Sequence, residues 1–260
     1  MRNGAFPYAV SLLLGACLWL SACAANGPGA LSGTGSQQLA DTALSGGNPA
    51  LAIPLYKKIL LQDPRNRPAL IGLADALYQS SELQQARTVW QQLALVSPGD
   101  VEARLGLARI LLREGRAAEA AEAYRALVIS VPDNVAARAG LGMAYDLQDR
   151  HDLAQQQYRQ ALRLHPDDLA LRNNLGLSLI LSHQLRSAID ELLKIADVPS
   201  APPQARYNLA LAYGLLGNAV AAERILQQDM PAAQVQDNLQ YYQMMRARLG
   251  LAPDGGAAVN

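Results

Sequence analysis

"VEARLGLARILLREGRAAEAAEAYRALVISVPDN", residues 101–134, decides the fold. Apolar residues recur at helical spacing in "VEARLGLARILLRE" and again in "AAEAAEAYRALVIS", and a polar turn around Gly115 separates the two runs. That is the pattern of two amphipathic helices joined as a hairpin. The stretch is not alone. Pro64, Pro98, Pro132 and Pro166 follow one another at intervals of 34 residues. With each unit ending two residues after its proline, the chain divides into 33–66, 67–100, 101–134, 135–168, 169–202 and 203–236. No insertion disturbs this register.

Four positions of the unit carry the repeat. The seventh is Leu39, Leu73, Leu107, Leu141, Leu175 and Leu209, and the eighth is Ala40, Ala74, Ala108, Gly142, Gly176 and Ala210. The twentieth is alanine throughout, at Ala52, Ala86, Ala120, Ala154, Ala188 and Ala222. The twenty-fourth is large: Tyr56, Trp90, Tyr124, Tyr158, Leu192 and Leu226. Small residues at eight and twenty let the two helices of a hairpin approach closely, and the Leu and aromatic positions fill the space beside that contact. The recurring proline cannot continue the second helix comfortably and marks the passage to the next unit. Asp100, Asp133 and Asp168 stand where the following helix wants an N-cap. A 34-residue period with this pattern resembles the tetratricopeptide repeat (TPR). The expectation is an all-α superhelical solenoid of about six helix-turn-helix repeats over 33–236.

The register weakens twice. "VPSAPP" at 198–203 replaces the single proline expected near position 200, which predicts a longer or stiffer junction. In the sixth unit Asp229 and Pro231 predict that the second helix ends near Gln228. Beyond it "AAQVQDNLQYYQMMRARLG" places Val235, Leu239, Tyr242, Met245 and Leu249 on one face. A solenoid needs an element to cover its last apolar face, so this segment is read as a capping helix, assigned to 237–250, with 251–260 as a disordered tail.

The other end has a different character. An apolar run from Tyr8 to Leu20 follows Arg2, too short for a confident membrane span, and has the layout of a signal peptide over 1–22. It closes on Leu20, Ser21, Ala22 and Cys23. "LSAC" resembles the lipobox of bacterial lipoproteins, which implies that Cys23 is thioether-linked to diacylglycerol and becomes the first residue after cleavage. A secreted chain with an incidental cysteine is the alternative. The only other cysteine, Cys17, lies in the segment removed, so an acylated Cys23 leaves no thiol for a disulfide or a metal. Residues 23–32 are then a flexible tether rich in Gly, Ala, Ser and Pro. Ala24 is not the Asp that favours inner-membrane retention in enterobacterial lipoproteins. Outer-membrane placement facing the periplasm is the expectation.

Chemistry is sparse. The 22 basic and 22 acidic side chains balance, which speaks against a nucleic-acid surface or a polybasic membrane patch. There is no H-E-x-x-H motif, so the chain does not resemble periplasmic TPR metalloproteases. His151, His165 and His183 do not converge on one helix face and read as solvated residues of turns and helix ends. No catalytic residue, metal site or cofactor is expected, and no small-molecule substrate.

What remains is protein binding. In the TPR family, positions two, five, nine, twelve and thirteen of the first helices line the concave face. Mapped here, the early units give a mixed lining of Gln37, Asp41, Ile71, Asp75, Tyr78, Leu105, Arg109, Leu112 and Arg113. The later units are more apolar, with Met143, Leu147, Asn173, Leu177, Ile180, Leu181, Tyr207, Leu211 and Leu215, and with Asn174 and Asn208 beside them at position six. The partner site is placed on Met143, Asn173, Asn174, Leu177, Ile180, Leu181, Tyr207, Asn208, Leu211 and Leu215. The competing reading is that the terminal helix of the chain covers this lining. No unit carries the Lys and Asn pair with which chaperone-binding TPR domains grip a C-terminal carboxylate.

"RNNLGLSLILSHQLRSAIDELL" (172–193), the proline-rich break, "ARYNLALAYGLLGNAVAAERI" (205–225) and "NLQYYQMMRA" (238–247) together resemble TadD, the TPR lipoprotein of tight-adherence (Flp) pilus systems. The resemblance covers 135–250 well and is generic before that. It implies a scaffold in Flp pilus assembly at the outer membrane, pilotin-like toward the secretin. A type IV pilus pilotin, another envelope-assembly adaptor and a regulator of peptidoglycan hydrolases stay open as alternatives.

Overall fold

The computed structural model describes residues 33–251. The signal segment, Cys23 and the tether lie outside the described residues, as do residues 252–260 of the tail. Among the described residues thirteen helices follow one another: α1 Gly33–Ser45, α2 Pro49–Gln62, α3 Arg67–Gln79, α4 Leu83–Val96, α5 Val101–Arg113, α6 Ala117–Ser130, α7 Val135–Asp146, α8 His151–Leu164, α9 Leu169–Leu181, α10 Leu185–Leu193, α11 Gln204–Leu216, α12 Ala219–Leu226 and α13 Ala232–Arg248. They form six antiparallel hairpins, α1/α2 to α11/α12, each packed on its neighbours, with α13 against α11 and α12. The described residues contain no strand.

Each hairpin closes on the alanines and glycines that recur in the sequence. All six alanines at position twenty are fully buried, as are Ala40, Ala74, Ala108 and Ala210 at position eight. The large residues of position twenty-four are buried beside them. The interior is a string of apolar clusters, one centred on repeats one to three, a second on repeats three to six, and a terminal one that brings Ala210, Ala222 and Leu226 together with Val235, Leu239 and Tyr242 of α13. Leu39 departs from its equivalents. It is exposed, and no described element precedes α1 to cover it.

Capping residues fix the helix starts. The side chains of Asn66, Asp100, Asn134 and Asp168 each accept a backbone N–H of the first turn of α3, α5, α7 and α9. Asp133 is therefore not the cap expected from the sequence. Asn134 holds that position, accepting from the Ala137 N–H at 2.8 Å. Asn48 and Asn218 cap α2 and α12 in the same way. Within every hairpin the turn passes through one residue of left-handed backbone at position fifteen: Gly47, Ser81, Gly115, Asp149, His183 and Gly217.

The second helices of the first four repeats have 14 residues each. α10 has 9 and α12 has 8, where the proline-rich junction and the Asp229–Pro231 segment cut them short. α12 stops at Leu226, two residues before the end expected at Gln228, and α13 starts at Ala232, earlier than the 237 assigned to the cap.

Candidate functional site: a concave groove over repeats three to five

Residues at position nine show how the concave face changes along the solenoid. They are Asp41, Asp75, Arg109, Met143, Leu177 and Leu211. In the first half the charges satisfy one another. Arg109 donates to Asp75 at 2.7 Å, one repeat back, and its guanidinium lies 4.9 Å from the centre of the Tyr78 ring, which Arg113 also covers at 5.2 Å. Asp41 accepts from the Tyr56 hydroxyl at 2.7 Å. Burial raises the Asp75 carboxyl above its ordinary range, although Arg109 pulls the other way. This half is a closed set of polar contacts and leaves little apolar surface.

The second half opens. Leu112, Met143, Asp146, Leu147, Tyr158, Asn174, Leu177 and Leu181 line a groove of about 300 Å³ between α5, α7 and α9. Met143, Leu147, Leu177 and Leu181 remain 36–60% exposed, a contiguous aliphatic lining in contact with solvent. Two features produce the opening. α7 and α9 are the most sparingly packed pair of successive first helices. Asn174 also stands at position six, where the three preceding repeats have Gly72, Gly106 and Gly140 beneath the rings of Tyr56, Trp90 and Tyr124. For Tyr158 the relief comes from the other side. Gly142, on α7 itself, lies under that ring, and a β-carbon built there would come 2.5 Å from Tyr158 Cε1. With the ring accommodated by α7, α9 carries a side chain at position six. Asn174 makes no side-chain hydrogen bond among the described residues, so its amide is available to a bound backbone.

The floor is polar and saturated. Asp146 Oδ1 accepts from Ser178 Oγ at 2.6 Å and meets His151 Nδ1 at 2.9 Å, while Oδ2 accepts from the Tyr158 hydroxyl at 3.0 Å. Burial, and then the neighbouring Asp146 carboxylate, raise the Tyr158 phenol far above its ordinary value. His151 is thus no solvated turn residue, as the sequence suggested, but a member of a network that ties α7, α8 and α9 together. The network does not assemble a nucleophile. Ser178 is fully buried and directs its hydroxyl at the carboxylate rather than at the imidazole. His165 and His183 are exposed. Among the described residues no group of three or more His, Cys, Asp or Glu is placed to hold a metal ion.

The residues selected from sequence divide into four sets. Met143, Asn174, Leu177 and Leu181 line the open groove. Ile180 and Leu215 are corrections: each is only 4% exposed and belongs to the core, since position twelve of α9 turns inward and α11 is enclosed by its neighbours. Tyr207 and Leu211 are half-buried and pack against the terminal cluster to which Val235, Leu239 and Tyr242 contribute. Asn173 and Asn208 face each other, Asn208 Nδ2 donating to Asn173 Oδ1 at 2.9 Å. The lining is therefore open over α7 and α9 and packed over at α11. Leu112, Leu147, Asp146 and Tyr158 complete the open part. Leu112 and Leu147 were marked by their repeat positions, whereas the Asp146 network has no signature in the repeat.

Four overlapping stretches of the chain, 38–95, 72–135, 105–168 and 140–202, match the tetratricopeptide repeat. The chain belongs to the tetratricopeptide repeat family. Solved TPR structures share its fold. PilW, a widely conserved type IV pilus biogenesis factor, is 21% identical with a TM-score of 0.67, over 84% of this chain and 98% of that one. A thermophilic TPR protein of Thermus thermophilus is 18% identical with a TM-score of 0.63, over 70% and 98% of the two chains. Residues 41 to the end of MamA from Desulfovibrio magneticus RS-1 are 20% identical with a TM-score of 0.52, over 64% and 94%. At these identities the likeness is one of fold. No curated protein matches the chain.

Proposed function

We propose that this TPR protein is a lipid-anchored scaffold of the bacterial outer membrane that serves Flp (tight-adherence) pilus assembly, pilotin-like toward the secretin, by binding a protein segment rather than by catalysis. The reading of location rests on the lipobox at Leu20–Cys23 and on Ala24. The pilus assignment rests on the resemblance to TadD over 135–250. The observation that carries the binding role is the groove: Met143, Leu147, Leu177 and Leu181 present aliphatic surface to solvent while the neighbouring repeats have spent their polar groups on one another. An amphipathic helix or an extended tail of a partner buries its apolar residues there, and the Asn174 amide meets its backbone.

The test is Leu147→Asp combined with Leu177→Asp. Both side chains are exposed, so helical circular dichroism and the thermal melt should stay near wild type. Heat-resistant secretin multimers in membranes and surface pili should be lost. A folded double variant with normal multimers and pili would reject the groove as the functional site. Mass spectrometry of the protein from membranes should show acylated Cys23 at its N-terminus, and an unmodified soluble form starting elsewhere would reject the anchor.

A further inference from the structure

The outer face carries an apolar feature that the groove does not explain. Leu61, Leu95 and Ile129 occupy position twenty-nine of repeats one, two and three, and they stand 85, 83 and 75% exposed. They are the three most exposed large hydrophobic side chains among the described residues. Their spacing of 34 residues sets them on successive second helices, α2, α4 and α6, as a ridge on the side away from the concave face. Exposed Pro64, Pro98 and Pro132 adjoin them three residues further on. The ridge stops where position twenty-nine becomes Arg163 and then Asp197. Isolated exposed leucines need no explanation, but three in register, confined to one half of a solenoid, form a patch.

We propose that this ridge rests on the surface of the lipid bilayer and holds the solenoid against the membrane; the inference builds on the lipid-anchor reading above. Three observations select lipid as the occupant. The first is size. Three side chains separated by Lys58, Gln91, Gln92 and Arg125 make a narrow contact, far below the ~1,200–2,000 Å² of a stable protein–protein interface, yet enough to insert into an interface already held nearby by an acyl chain. The second is charge. Lys57 and Lys58 stand exposed one turn before Leu61 and Arg125 one turn before Ile129, α2 and α4 contain no carboxylate, and the acidic groups beside them, Asp63 after α2 and Glu122 of α6, leave the cations in excess, as at an anionic headgroup layer. The third is place. The ten residues 23–32 reach at most about 35 Å when extended, and they join α1 at Gly33. The antiparallel hairpin sets that end of α1 beside the end of α2 that bears Leu61: Gln37 and Gln38 share one surface cleft with Ile59, Gln62 and Asp63. The tether thus joins the solenoid at the end where the ridge begins. Held so, the solenoid turns its concave groove away from the lipid.

The experiment uses the full chain in vesicles of phosphatidylethanolamine and phosphatidylglycerol. Leu61→Cys, Leu95→Cys and Ile129→Cys are labelled with an environment-sensitive fluorophore, with Gln79→Cys, on the concave side, as the control. All four sites are on the surface, so folding is not at stake. Lipid-borne quenchers should extinguish the three ridge labels and leave the Gln79→Cys label unaffected. Ridge labels no more quenched than the control would overturn the proposal. Ridge labels shielded without lipid quenching, in a particle of twice the mass, would overturn it in favour of a second copy of the chain. Labelling of the wild-type chain reads the anchor separately: dye on Cys23 means that it is not acylated. In that case the ridge variants are labelled again with Cys17 and Cys23 replaced by serine, so that quenching on added vesicles reads the ridge alone and the failure of one reading is not mistaken for the failure of the other.

Discussion

Trp90 lies so close over Gly106 that a β-carbon built on the glycine would stand 2.2 Å from Cε2 of the ring. The indole is fully buried and its N–H has no partner among the described residues, so the contact is one of shape. Gly106→Ala gains ~1 kcal/mol of helix propensity. It then overpacks a site where the neighbour is a rigid ring, and the net result should be a loss of about 1–3 kcal/mol. Trp90→Leu imports the solution of repeats five and six, where Leu192 and Leu226 hold the same position. The double variant Gly106→Ala with Trp90→Leu should be more stable than the sum of the two single effects. Additive denaturation curves would mean that the two residues are not in the contact described.

His183 adopts φ of 60° in the turn between α9 and α10, a conformation that glycine supplies without strain at Gly47, Gly115 and Gly217. The left-handed region costs a side-chain-bearing residue roughly 1 kcal/mol. His183→Gly should therefore raise the melting temperature, and Gly115→Ala should lower it. The pair of opposite signs is the check. Two shifts of the same sign would contradict the role assigned to position fifteen.

Asp100 joins the second and third repeats. Burial works against its charge, but the Arg67 guanidinium at 2.6 Å and the N–H groups of Ala103 and Glu102 outweigh burial and hold the carboxyl below its ordinary range. A carboxylate whose folded pKa is depressed stabilises the fold above its unfolded pKa and loses that contribution as pH falls through the folded value. Melting temperature should drop from about pH 4 downward. Asp100→Asn keeps the cap, since an amide oxygen accepts the same N–H groups, and gives up the pair with Arg67. It should cost about 1–2 kcal/mol at neutral pH and flatten the acid limb. An unchanged acid limb would assign it to Glu114, which Arg87 holds low in the same way.

Asp146 gathers hydrogen bonds from Tyr158 and Ser178, with His151 at its other side. Asp146→Ala leaves two buried hydroxyls without an acceptor and should cost about 2–4 kcal/mol, with faster amide exchange across α7 to α9. Asp146→Asn keeps part of the network and should cost less. Equal losses would show that charge, not acceptor number, holds the floor of the groove.

The solenoid was legible because it is written six times. Ala52 or Leu73 alone says little, but the same residue type at the same place in successive units fixes hairpins, register and core together. Contacts that differ between repeats were hidden for the same reason. Asn134 rather than Asp133 caps α7, a distinction of one residue between two good caps. His151 read as a turn residue because nothing in sequence brings it to Asp146 and Ser178. Ile180 and Leu215 were assigned to the lining from positions that face the groove in the family at large. Which of these stay open depends on how far α9 leans from α7 and on where α13 folds back, and both follow from packing across repeats. Leu147 and Leu112 were visible as lining but not distinguished from their neighbours, and the glycine under Tyr158 that opens the groove was read only as a small residue between paired helices.

That glycine also limits how freely the units can be shuffled. Excising residues 67–100 or 101–134 would still set a ring against a glycine: Tyr56 would meet Gly106, or Trp90 would meet Gly140. Excising 135–168 would set Tyr124 against Asn174, with Ala108 rather than a glycine on its own hairpin, and neither side could yield. The second and third units are interchangeable parts, the first has Gln38 where they have glycine and can only lead, and the fourth is an adaptor between two incompatible couplings. A tandem copy of 67–100, 101–134 or 135–168 would therefore keep a glycine under the ring at every new joint, but only a unit that carries its own glycine under the ring, as Gly142 does, can stand directly before residue 169.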